Sequence, residues 1–329
     1  MNSAPLLSVQ GLNVALPTPS GPGFAVRDLS FDLDRGQTLG IVGESGCGKS
    51  MTALALMALL PDGASTSGRI ELGGQDLLAL DEDRLCAIRG NAIAMIFQEP
   101  MTSLNPLHPV GRQVMEPLLL HRGLGPQEAR AEAIRLLERV GLDEAERRLA
   151  AYPHQLSGGQ RQRVMIAMAL SCQPDVLIAD EPTTALDVTI QGQILDLIAE
   201  IVAETGMALI LISHDLGVIA ESVDRVLVMY GGAVVERGAT QDLFEGLAHP
   251  YSRGLFAALP KLGAGRQRLE TIPGTVPELA DLPAGCTFAD RCALAVADCP
   301  GNVPVLESVA PGHEAACFRL GEVAPEVPA

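Results

Sequence analysis

The chain has 329 residues, enough for one large domain with an appendage and an ample core. Hydrophobic residues make up 47% and charged residues 19%, the balance of a globular protein, which excludes a disordered one. A formal net charge of −17, aromatics at only 3% and no Trp argue against nucleic acid as a partner, which calls for a basic surface and stacking platforms. No apolar run approaches the length that crosses a bilayer, and the start of the chain lacks the charged-then-apolar order of a signal peptide. The expected location is therefore cytosolic, with any hold on a membrane made through partners.

In chain order, short β-like pieces come first, at 7–9, 12–16 and 30–33, with the turn-rich run Pro17-Thr18-Pro19-Ser20-Gly21-Pro22-Gly23 between them. They predict a small antiparallel sheet. The apolar run 38–42 reads as a buried strand and 49–60 as a helix rich in Ala, Leu and Met. Between them, Gly43-Glu44-Ser45-Gly46-Cys47-Gly48-Lys49-Ser50 has the P-loop form G-x-x-x-x-G-K-[ST], in the strand–loop–helix context that the motif requires. Glycines let backbone N–H groups turn inward around phosphate oxygens, and the helix N-terminus adds partial positive charge. Lys49 is expected to bridge the β- and γ-phosphates and Ser50 to offer its hydroxyl to Mg²⁺. With Met51 just beyond the motif, these residues are the expected ATP-binding set. Cys47 admits two readings: a thiol activated near a helix N-terminus, or an inert stand-in for a small residue.

Further strands are predicted at 68–72 and 93–97. From 99 to 170 the pattern turns helical, with charges on one face and Leu, Ile and Val on the other at 111–122 and 126–140. A strand at 176–180, a helix at 190–205 and a strand at 207–213 follow, the alternation of an α/β protein with a parallel sheet covered on both faces. Two hairpin-like strands, 225–229 and 233–236, flank Tyr230-Gly231-Gly232, and a Pro- and Gly-rich tail begins near 261. The strand 176–180 ends in Asp180 and Glu181, at the sheet edge where ligands of open α/β sheets bind. An acid there can hold the water shell of Mg²⁺, and its neighbour can polarise an attacking water.

Leu156-Ser157-Gly158-Gly159-Gln160 opens a helix over 161–170, about twenty residues before those acids, and makes an anion-binding helix N-terminus. Taken with the P-loop, it resembles the signature motif of ATP-binding-cassette (ABC) ATPases. Gln98 then matches the Q-loop glutamine, Ala185-Leu186-Asp187 the D-loop and His214 the switch histidine. The resemblance covers about residues 6–260. Met101-Thr102-Ser103-Leu104-Asn105-Pro106, the run from Ile178 through Glu181-Pro182-Thr183-Thr184 to Asp187, His249-Pro250-Tyr251-Ser252-Arg253 and Ile272-Pro273-Gly274 narrow it to dipeptide and oligopeptide importer ATPases, and within these to the D-type subunit.

The resemblance implies a P-loop NTPase fold of the ABC type: a mixed central sheet, an N-terminal antiparallel β-subdomain, a helical subdomain at about 99–170 within a 1–260 nucleotide-binding domain, and a small Cys-containing extension at 261–329. It implies a site shared between subunits. Lys49, Ser50, Gln98, Asp180, Glu181 and His214 would serve one ATP, with Ser50, Gln98 and Asp180 around Mg²⁺ and Glu181, Gln98 and His214 in catalysis. Ser157, Gly158, Gly159 and Gln160 would reach the ATP of a second, F-type ATPase. Two transmembrane permease subunits and, through them, a solute-binding protein complete the implied assembly at the cytoplasmic face of the inner membrane. In the family adenine usually rests on an aromatic at a place that aligns with Leu16 here; Phe24, in the following loop, and aliphatic surface are the alternatives. The rival reading is a soluble ABC-type ATPase of DNA repair or translation, but those carry long coiled-coil insertions or two cassettes with basic linkers. Peptide, nickel, glutathione and opine importers share these motifs, so cargo stays open.

Cys286, Cys292, Cys299 and Cys317 are separated by five, six and seventeen residues. In a cytosolic tail with no long apolar run, four thiolates can hold zinc or an iron–sulfur cluster. No closely spaced pair of the kind structural zinc favours occurs. The tail resembles the C-terminal region of peptide-importer ATPases, in which a four-cysteine [4Fe–4S] site occurs, and this puts a cluster ahead of zinc and of metal-free cysteines.

Overall fold

The computed structural model describes residues 4–184, 187–258 and 271–321. The expected boundary at 260/261 and Ala185 and Leu186 of the expected D-loop lie outside the described residues. The chain opens with β1 (Leu7–Thr18), β2 (Gly21–Leu33), β3 (Thr38–Val42), α1 (Lys49–Leu56), β4 (Ser65–Leu72) and β5 (Gln75–Asp76). Next come α2 (Glu82–Ile88), β6 (Ile93–Ile96), α3 (Pro100–Ser103), α4 (Val110–His121), α5 (Pro126–Arg139), α6 (Ala145–Arg148) and α7 (Gly158–Leu170). Then follow β7 (Val176–Asp180), α8 (Val188–Thr205), β8 (Ala208–Ser213), α9 (Leu216–Ser222), β9 (Arg225–Tyr230), β10 (Ala233–Ala239), α10 (Thr240–Glu245) and α11 (Pro250–Ala257). The tail adds β11 (Glu307–Ala310) and β12 (His313–Ala315). Among the described residues no helix is long and apolar enough to cross a membrane.

Two compact units result. One comprises the described residues up to Leu7, Leu33–Gln37 and Ala79–Ile210. In it β6 and β7 pair in parallel, with every residue of both strands buried, as expected of a sheet covered on both sides. Helix α7 lies against β6 and packs on α3, α4 and α5, so it is the centre of the helical part.

The second unit comprises Ser8–Asp32, Thr38–Leu78 and the described chain from Leu211 on. It carries a four-stranded sheet in the order β2-β1-β4-β5. It also holds a mixed sheet in which β3 and β9 run parallel, β9 and β10 antiparallel, and β10 takes β12 of the tail as a further antiparallel neighbour.

Three local differences from the sequence reading have physical causes. The pieces at 7–9 and 12–16 form one strand: Gly11, at φ +56°, lets β1 continue, and its N–H is taken up by Ser30 Oγ at 2.8 Å. Only Pro19 and Ser20 of the expected turn run lie between β1 and β2, so Phe24 sits in a strand and not in a loop. Helix α1 stops at Leu56 rather than residue 60. Ala58 adopts φ +50°, its N–H bonds to Ala55 O at 3.0 Å, and Leu59 N–H bonds to Leu54 O at 2.8 Å. That pair of bonds is the Schellman C-cap, here built on alanine where glycine is usual.

Candidate functional site: the phosphate loop and the acidic strand end

In the second unit, β3 delivers the chain into the loop Gly43–Ser50, and α1 leaves it. A Cβ on Gly43 would stand 2.3 Å from Met229 O, and one on Gly48 would stand 2.2 Å from Ala25 O. Both glycines also have positive φ, +154° and +97°. No other residue fits either place, so the two glycines are fixed by sterics. Helix α1 has no side-chain cap at Gly48, which leaves its first amides directed at the loop. Lys49 is 5% exposed, and its Nζ donates to Gly43 O at 2.8 Å and Glu44 O at 3.1 Å. The lysine thus ties the loop's own carbonyls, and a polyphosphate would compete for the same ammonium. Ser45 and Gly46 are exposed at the tip, while Ser50 and Met51 are half-buried in the first turn of α1.

Cys47 is fully buried, and burial pushes its thiol up despite hydrogen bonds from the Gly231 backbone and Tyr251. Burial and the upward shift thus favour the inert reading of Cys47 over the activated one. Phe24 is 43% exposed, next in sequence to the Ala25 carbonyl that closes on Gly48. Leu16 is half-buried.

In the first unit, Asp180 is buried at the end of β7. Glu181 follows at φ +46°, a conformation that costs a non-glycine residue about 1–3 kcal/mol and persists only where the surroundings enforce it. They do: Gln98 Nε2 donates to Glu181 Oε2 at 2.9 Å, and Thr184 Oγ1 donates to the same oxygen at 2.8 Å. Two donors on one carboxylate oxygen fix the orientation of the side chain. Gln98 and Glu181, 83 positions apart in sequence, are therefore joined directly.

Ser157 caps α7 in a reciprocal capping box. Gln160 N donates to Ser157 Oγ at 3.3 Å, and Ser157 N donates to Gln160 Oε1 at 3.0 Å. Gln162, which the sequence reading missed, is buried one turn further and donates from Nε2 to Pro182 O at 2.6 Å. It ties the helix behind Ser157 to the residue after Glu181. Asp187 caps α8 by accepting from Ile190 N at 3.1 Å and is itself exposed. His214 is exposed just past β8 and belongs, with the phosphate loop, to the second unit.

The tail's four cysteines lie near one another. The Cys286 thiol is pushed up first by burial and further by Cys299, Cys292 and Cys317. Backbone N–H groups point at the sulfurs: from Phe288 to Cys286, Leu294 to Cys292, Val296 to Cys299 and Arg319 to Cys317. Amides aimed at sulfur suit a thiolate-held group. Yet among the described residues no three or more His, Cys, Asp or Glu side chains are placed to hold a metal ion. Among the described residues the expected metal centre, iron–sulfur or zinc, is thus not seen as an assembled site.

The ABC transporter family model matches residues 26–184, and the model for the oligopeptide/dipeptide transporter C-terminal region matches residues 235–299. A peptide import ATP-binding protein of Brucella melitensis is 48% identical over 98% of this chain and 100% of its own length. The oligopeptide transport ATP-binding protein OppD of Salmonella typhimurium is 51% identical over 95% of this chain and 93% of its own. The ATP-binding cassette MJ0796, solved as a dimer in a post-hydrolysis state bound to ADP and Pi, matches 71% of this chain and 98% of its own, with TM-score 0.64 and 29% identity. A phosphate loop fixed by sterics, a restrained glutamate at the end of an acidic strand and these relatives lead to one assignment: the chain belongs to the ATP-hydrolysing cassettes of the ABC transporter family, in the group that carries the oligopeptide/dipeptide transporter C-terminal region.

Proposed function

We propose that this cassette powers import of di- or oligopeptides, as a peripheral subunit at the cytoplasmic face of the inner membrane. The observation that carries the reading is near-full-length identity of about half to proteins named for peptide import and oligopeptide transport, together with the match of the tail to their C-terminal region. The same relatives favour it over a soluble cassette of DNA repair or translation. Its partners are two permease subunits, a peptide-binding protein and a second, F-type ATPase.

The residue roles follow the family's order of motifs. Residues Gly43 to Met51 bind ATP, with Lys49 on the β- and γ-phosphates; Ser50, Gln98 and Asp180 serve Mg²⁺; Glu181 orients and deprotonates the attacking water, aided by Gln98 and His214. Ser157 to Gln160 and Asp187 face the partner's nucleotide. The geometry behind this proposal is the pair of donors on Glu181, which holds a carboxylate base in place. Mg²⁺ would neutralise phosphate charge as it develops, and four thiolates, each aimed at by a backbone amide, would hold a structural [4Fe–4S] cluster in the tail. Zinc is the second assignment, since the four cysteines lack the closely spaced pair that structural zinc favours.

The test is uptake. Proteoliposomes carrying this chain, its second ATPase and the permease pair, supplied with the binding protein and internal MgATP, should accumulate labelled di- to pentapeptides. Uptake of nickel or glutathione instead, with none of peptide, would overturn the cargo.

A further inference from the structure

Glu44, the second residue of the phosphate loop, is held from outside the loop at two points. Its backbone N–H donates to Tyr251 Oη at 2.8 Å. Its carboxylate is bridged by the Arg291 guanidinium, Nη1 to Oε2 at 2.7 Å and Nη2 to Oε1 at 3.1 Å, the parallel two-bond pairing in which Arg–carboxylate contacts are strongest. The two partners are 247 positions apart in sequence.

Arg291 itself is fixed. Its side chain is 5% exposed, Nε donates to Pro273 O at 2.8 Å, and Nη1 also donates to Tyr230 Oη at 3.3 Å. The guanidinium lies 5.7 Å from the Tyr230 ring centre and 6.0 Å from that of Phe288. Phe288 in turn packs edge-on against Tyr230 and tilted against Tyr251, at 5.1 and 5.4 Å between ring centres. Thr287 closes on Gly231, where an added Cβ would meet its side chain at 2.8 Å. The tail segment 286–292 is therefore docked on the residues that carry the loop.

We propose that Arg291 is a positioning residue for nucleotide binding, which acts by neutralising and orienting Glu44. The inference rests on the reading that Gly43–Ser50 receives the phosphates. A carboxylate within a loop built for polyphosphate repels its ligand unless its charge is cancelled. A buried, bidentate guanidinium cancels it and directs it out of the loop. Nucleotide affinity thereby depends on the docked tail, and any event that releases segment 286–292 lowers it.

The sign of the effect separates this role from simple tail anchoring. MgATP affinity is measured on the full-length protein by titration calorimetry. Arg291→Ala should weaken it roughly tenfold or more, the scale of one charge within about 12 Å of phosphate at an effective dielectric of about 20. Glu44→Gln alone leaves the guanidinium charge unbalanced and should tighten binding. Arg291→Ala combined with Glu44→Gln lacks the same ion pair yet should recover most of the loss. The loss in Arg291→Ala should also shrink as salt rises. Wild-type affinity in Arg291→Ala, or a double variant as weak as the single one, would overturn the inference. Lys49→Ala tests the underlying reading separately: affinity unchanged there would move the phosphate site elsewhere, whatever Arg291 does.

Discussion

On the proposed reading, Glu181 concentrates the chemistry at the scale of one residue. It sits in a left-handed conformation, and Gln98 and Thr184 both donate to one of its oxygens. Glu181→Gln keeps shape and volume but cannot accept the proton of water. In the assembled transporter it should retain ATP binding and lose hydrolysis on the order of a hundredfold or more. Turnover near that of the unmodified protein would remove Glu181 from the role. The sequence showed this residue because an acid pair ending an apolar strand downstream of a P-loop is a local pattern. It did not show Gln162, whose value lies in one bond to Pro182 O formed by folding. Nor did it decide Cys47: a helix N-terminus lowers a thiol and burial raises it, and only the packed structure shows that burial is the larger effect.

At the scale of elements, β3, β6, β7, α4, α5 and α8 were readable, since each has a run or period that decides its type. The end of α1 was not, because a Schellman cap on Ala58 carries none of the usual glycine signal. The tail was least readable. Strand β12 exists because β10 offers it an edge, with Glu236 opposite Ala315, and no feature of the tail's own composition announces that. Buried Glu236 supports this edge by accepting from the N–H groups of Ala248 and His249 and pairing with His313 at 2.8 Å. Burial holds the His249 imidazole low, at about 4, so it is neutral and its Nδ1 accepts Tyr251 N–H at the start of α11. The tail's cysteines give the prediction proper to this scale. Protein purified without oxygen should be brown and carry about four irons per chain, lost when any one of Cys286, Cys292, Cys299 or Cys317 becomes Ser. Colourless, fully active anaerobic protein would end the cluster assignment.

At the scale of the molecule, the chain carries one P-loop and one Ser157–Gln160 helix start, and α7 with its capping box belongs to a different compact unit from the phosphate loop. On the proposed reading a nucleotide lies between the P-loop of one subunit and the signature helix of another, so one chain would hold half of each of two sites. The most direct measurement is ATP hydrolysis by the purified chain over a wide concentration range, alone and then within the complex with permeases and second ATPase. The expected result is slow hydrolysis by the isolated chain and a large gain on assembly; robust, concentration-independent hydrolysis by the monomer would contradict it.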